Sequence, residues 1–131
     1  MYSPATQTAT QVYRQIGTKG EIENASPHRL IQLMMEYVLT KIGVARGHMQ
    51  RGNVQAKGES IGDAINVIEG LQASLNHNAD ERMSENFDAL YAYMMRRLLE
   101  ANLHNDESIL EEVAGLMREL KEAWDSIADE V

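Results

Sequence analysis

The stretch NFDALYAYMMRRLLEANLHND, Asn86 to Asp106, decides the fold of this chain and raises a question about its surface. At about 100° per residue, Met83, Phe87, Leu90, Tyr91, Met94 and Leu98 share one stripe of a helix. Ala92, Met95, Leu99 and Leu103 make a second stripe beside it. A helix packed on one core needs a single apolar stripe, a little over about 100° wide. The pattern thus predicts a helix with more apolar surface than one core requires.

Turn signals on either side divide the chain into four such helices. Ser26 can accept a bond from the free amides of a first turn, and Pro27 follows where a missing N–H costs nothing. The helix that starts there runs to about Gln50, where Arg51-Gly52-Asn53 ends it. A second spans about Asn53 to Leu75, and Asn76-His77-Asn78 breaks it. The third runs from near Asp80 to about His104, and the fourth is capped by Asp106 and reaches about Ala128. No segment alternates with period two, so strands are not predicted. Four helices of similar length with short loops imply an all-α, antiparallel up-and-down four-helix bundle over residues 21–131.

Two of the helices carry one stripe each. In the fourth it is Ile109, Val113, Leu116, Leu120, Trp124 and Ile127, with Met117 at its edge and Trp124 packed in the core. In the second it is Val54, Ile61, Ile65, Ile68, Leu71 and Leu75, a helix that Gly58, Gly62 and Gly70 weaken by up to ~1 kcal/mol each. The first helix resembles the third: Leu30, Leu33, Met34, Tyr37, Val38 and Val44 form one side, and Ile31, Met35, Leu39, Ile42 and Met49 extend it. Together they sweep roughly 240°.

Residues 1–20 form a flexible segment of different character. It is small, polar and glycine-bearing, except for Val12, Tyr13 and Ile16, which share a face if a turn or two of helix forms. So short a helix is marginal in water and needs a surface to pack on.

Composition narrows the possible functions. The length, 131 residues, suits one domain, and a net charge of −8 repels a phosphate backbone, which argues against nucleic acid. The absence of cysteine excludes disulfides and thiolate metal sites and fits a reducing cytoplasm. The N-terminus lacks the pattern of a secretory signal, and no stretch approaches a membrane span. No Glu-x-x-His occurs, so His28, His48, His77 and His104 read as solvated and neither metal nor another cofactor is predicted. No phosphate loop or nucleophile arrangement suggests an enzyme. Arg96 and Arg97 are expected to reach solvent and pair with acids of a neighbouring helix.

What remains is a binding surface. Methionine adapts to varied apolar partners, and the pairs Met34-Met35 and Met94-Met95 fall on the two helices with surplus surface. The surface is predicted to be lined by Ile31, Met35 and Ile42 on the first helix and by Met95, Leu99 and Leu103 on the third. These helices sit diagonally in such a bundle, so a wrapping partner could use both, and the Val12–Tyr13–Ile16 cluster could act as a lid. A helical adaptor binding one amphipathic partner helix would have the same composition.

The third-helix block, together with ELKEAWDSI at Glu119–Ile127 and ASPHRLIQLM at Ala25–Met34, strongly resembles the FliS family of flagellar export chaperones. The resemblance runs over the whole chain. It implies a cytoplasmic four-helix bundle that holds the C-terminal segment of flagellin wrapped around it, so that subunits do not polymerise before export. It also implies delivery to the export gate of the flagellar type III secretion system, with flagellar regulatory proteins as further candidate partners. The family's N-terminal cap of the flagellin site maps here to Val12, Tyr13 and Ile16. One departure stands out: where the family usually has Tyr, Asp, Gly, this chain has Met35, Glu36 and Tyr37.

Overall fold

The computed structural model describes residues 24–75 and 81–127, and within 81–83 the backbone alone. Among the described residues four long α-helices follow in order: α1 Pro27–Gln50, α2 Val54–Ala73, α3 Glu81–His104 and α4 Glu107–Asp125. Their ends lie where the turn chemistry puts them. The Ser26 hydroxyl accepts a bond from the Arg29 amide at 3.1 Å, with Pro27 opening the helix. Gly52 turns the α1–α2 loop at φ 73°, a left-handed conformation that costs glycine little. Asn105 makes the matching turn after α3 at φ 52°, and the Asp106 carboxylate caps α4 through the Ser108 amide at 2.9 Å.

α1 packs on α2 and α4, and α3 packs on the same two helices from the opposite side. α1 and α3 are therefore diagonal, as an up-and-down bundle requires. The core is one cluster drawn from all four helices, including Met35, Val38 and Ile42 of α1, Ile61, Val67 and Ile68 of α2, Tyr91, Met94 and Leu98 of α3, and Leu110, Val113 and Met117 of α4. Met117, read from the sequence as an edge residue, is fully buried at the centre of the α4 face. Val54 departs the other way and is 66% exposed at the start of α2.

Trp124 sits at the margin of this core and not inside it. It is half-buried, its indole stacks on the His28 ring at 4.8 Å, and its Nε1 donates to the His28 carbonyl at 3.0 Å. The last turn of α4 is thereby tied to the first turn of α1. His28 is buried beneath the indole and its Nδ1 has no hydrogen-bond partner among the described residues, so the solvated reading holds poorly for this histidine. His48 bonds Arg51, His104 is exposed at the end of α3, and His77 lies outside the described residues. Replacing Trp124 by alanine should cost about 2 kcal/mol, less than for a fully enclosed ring, because part of the indole already faces water. A thermal melt that loses much more would put the ring inside the core.

One buried cation helps to set the register of α2 against α3. Lys57 is 3% exposed, and its Nζ donates to the Asn102 carbonyl at 3.0 Å and to the Asn105 side-chain oxygen. The ammonium thus reaches across the bundle to the carbonyl end of α3, where the helix dipole favours positive charge. At the other end of the pair, Gln72 Nε2 donates to the Asp88 carbonyl at 3.3 Å.

Candidate functional site

The bundle has four grooves between neighbouring helices, and among the described residues ion pairs bridge three of them. Over α1 and α4, Arg46 reaches Glu107 at 2.6 Å and Glu111 at 3.1 Å, while Gln50 also bonds Glu107. Further along, Lys121 holds Asp125 at 2.7 Å and lies 3.7 Å from Glu36, and Gln32 bonds Asp125. Over α3 and α4, Arg97 places two nitrogens on Glu112 and the Tyr93 hydroxyl donates to the same carboxylate. Over α1 and α2, Lys41 pairs with Asp63 at 3.3 Å and lies 5.5 Å above the Tyr37 ring. Tyr37 packs against the core beneath that lysine.

These contacts are reflected in the acids. Arg97, and then Tyr93, hold the Glu112 carboxyl below the usual range. Arg46 and Gln50 do the same for Glu107, and Lys121 for Asp125. All three acids are engaged as anions by their neighbours.

The groove between α2 and α3 differs. The Lys57 and Gln72 hydrogen bonds close its two ends and fix an antiparallel register with Met95 level with Ile65, Leu99 with Gly62 and Leu103 with Gly58. Leu99 is 58% exposed and Leu103 is 76% exposed. A side-chain carbon built on Gly62 would meet nothing within 4 Å, and one on Gly58 would meet only the Asn102 amide. Two bare leucines thus stand opposite two residues without side chains, with Met95 and Ile65 half-buried farther along and Val54 continuing the strip beyond Leu103. This is an apolar channel about three helical turns long. Its chemistry is that of a seat for an apolar helix or extended segment; among the described residues no group of His, Asp and Glu gathers as a metal site, and no helix is long and apolar enough to cross a membrane.

The six surface residues read from the sequence divide sharply. Leu99 and Leu103 line the channel, and Met95 lies at its inner wall. Met35 and Ile42 are 1% and 3% exposed and belong to the core, so the exposed surface excludes them. Ile31 is half-buried against the core on α1, diagonal to the channel. Most of the broad apolar arc of α1 is instead absorbed within the bundle, by contact with α2 on one side and α4 on the other, with Val44 left 39% exposed. Sequence reading missed the α2 wall altogether. Its glycines count as weak helix formers in a propensity sum, and only their position opposite Leu99 and Leu103 gives them a role. Val12, Tyr13 and Ile16 lie outside the described residues.

Comparison with known proteins adds the context. Residues 9–131 match the family model described as flagellar protein FliS. A flagellar secretion chaperone FliSB of Pseudomonas aeruginosa is 42% identical over 120 residues, covering 92% of this chain and 95% of that protein. The flagellar secretion chaperone FliS of Escherichia coli is 45% identical over 116 residues, covering 88% and 85% of the two chains. Its counterpart in Salmonella typhimurium is 39% identical over 124 residues, 94% and 92% of the two chains.

Proposed function

The chain belongs to the FliS family of flagellar secretion chaperones, and on that premise we propose that it holds the C-terminal segment of flagellin in the cytoplasm before export. The observation that carries this reading is the open channel between α2 and α3, with Leu99 and Leu103 bare above Gly62 and Gly58. A flagellin terminus that buries its apolar face only in the filament needs a substitute surface while monomeric. Covering it removes the contacts through which subunits would polymerise early. Val54 and Val44, 66% and 39% exposed, give a wrapping segment further hold beyond the channel and over α1.

The energetics suit a cargo that must later be released. Binding the monomer and not the filament holds it by mass action, about 2.7 kcal/mol at a hundredfold excess of chaperone over Kd. Ordering a disordered segment costs ~2–5 kcal/mol of the gross contact energy, so a large area yields a moderate affinity. Nothing in this cycle uses a nucleotide or a covalent step. The loaded bundle then presents flagellin to the export gate of the flagellar type III secretion apparatus. The N-terminal segment, through Val12, Tyr13 and Ile16, is assigned the part of a lid on the empty surface, where a tethered cluster acts at high effective concentration.

Glycine 62 gives the test. Gly62→Ala should stabilise the bundle by about 0.5–1 kcal/mol, because the new methyl group meets open space and the unfolded chain loses freedom. Gly62→Leu should fold as well as the native chain yet fill the channel. Flagellin polymerisation assays then decide: the native chaperone suppresses filament growth at stoichiometric ratio, and Gly62→Leu suppresses it much less. Equal suppression by both proteins would remove the channel from the binding surface.

A further inference from the structure

We propose that Arg96 is a specificity-determining residue of the channel, which selects a partner helix carrying a carboxylate beside its apolar face; this rests on the reading of the channel as the flagellin seat. Among the described residues, Arg29, Lys41, Arg46, Arg97, Arg118 and Lys121 each hold a carboxylate of this chain. Arg96 holds none, in a molecule with a net charge of −8. Two neighbouring acids are already engaged: Glu112 by Arg97 and Tyr93, and Glu100, four residues on along α3, by Arg97. The Arg96 guanidinium lies instead 5.8 Å over the Tyr93 ring, whose hydroxyl is anchored on Glu112. That contact gives the side chain a defined place without neutralising it.

Its backbone position is beside the apolar strip, with the guanidinium resting on the Tyr93 side, one side-chain rotation from the leucines. Arg96 precedes Leu99 by three residues and Leu103 by seven, so it stands at the outer edge of their stripe on α3. The facing wall of α2 offers the exposed carboxylate of Glu69, which no ion pair among the described residues links to Arg96. The channel therefore has Arg96 on its α3 edge and Glu69 on its α2 edge. An amphipathic helix seated on the leucines is oriented by that difference: an aspartate or glutamate on one edge reaches the guanidinium fork, and the reverse orientation sets it towards Glu69. As the partner covers the leucines it also excludes water from one side of Arg96, which strengthens the ion pair.

The test is the affinity of the full-length chaperone for a flagellin C-terminal segment, measured by titration calorimetry at low and high salt. Arg96→Glu should bind about tenfold more weakly at low salt, and the deficit should shrink as salt screens the rim. Arg96→Gln should lose less, and Lys in place of one particular acidic residue of the segment should restore binding to Arg96→Glu. Melting curves of both variants should match the native protein, since the side chain is exposed. If both variants bind within twofold of native at low salt while Leu99→Asp does not bind, the role of Arg96 falls and the channel reading stands. Native binding by Leu99→Asp as well would overturn both.

Discussion

Aspartate at Leu99 and Leu103 together should weaken binding of a flagellin C-terminal segment by at least ~100-fold and leave the melting temperature of the free chaperone within a few degrees of native. Both side chains are more than half exposed, so the folded monomer loses little packing when they change. Burying a leucine is worth about 1.5–3 kcal/mol, and most of that is still to be gained at these two positions when a partner arrives. A carboxylate in their place must also be desolvated without a partner, which adds to the deficit. Two such losses exceed the roughly 2.7 kcal/mol that a hundredfold change in Kd represents. Calorimetric titration and a thermal melt on the same sample check both halves. Retained binding would move the site off α3, and unfolding would show that these leucines support the bundle.

Met35 should behave in the opposite way. It is 1% exposed at the centre of the core, and Met35→Ala removes a side chain that the surroundings cannot replace. The expected cost is about 2–5 kcal/mol, from lost transfer energy plus the cavity left behind. For a domain of this size that lowers the melting temperature by roughly 10–20 °C. Affinity measured well below the new melting temperature should stay close to native, because the residue does not reach the channel. Ile42→Ala should give the same signature, somewhat smaller if neighbouring methionines close in. A variant that melts normally but fails to bind would return these residues to the binding surface.

The paired results separate two meanings of surplus apolar surface. α1 and α3 both carry more than one stripe, yet only α3 leaves its second stripe uncovered. On α1, Met35 and Ile42 are enclosed, and Leu30, Ile31, Tyr37, Leu39 and Met49 pack around them, because α2 and α4 close over both flanks. On α3, the flank towards α4 is sealed by Arg97, Tyr93 and Glu112, while the flank towards α2 meets glycines. Equal hydrophobic arcs thus end in different environments.

The four helices of the described residues, their approximate ends and the bundle class were all legible in the amino-acid sequence. Each is set by local chemistry: the Ser26 and Asp106 caps, Pro27 at a helix start, Gly52 in a left-handed turn, and apolar residues at helical spacing. The third helix also declared its own excess, and Leu99 and Leu103 were readable as candidates for that reason. Only the tertiary structure decided which excess is free. Burial depends on what the neighbouring helices bring to the same level, and period alone does not carry that information. It placed Met35 and Ile42 inside and Trp124 at the margin over His28, and it turned Lys57 inward to hold the end of α3. It also set two side-chain-free glycines opposite two leucines, where an antiparallel register, fixed by hydrogen bonds between residues far apart in the chain, leaves an open channel.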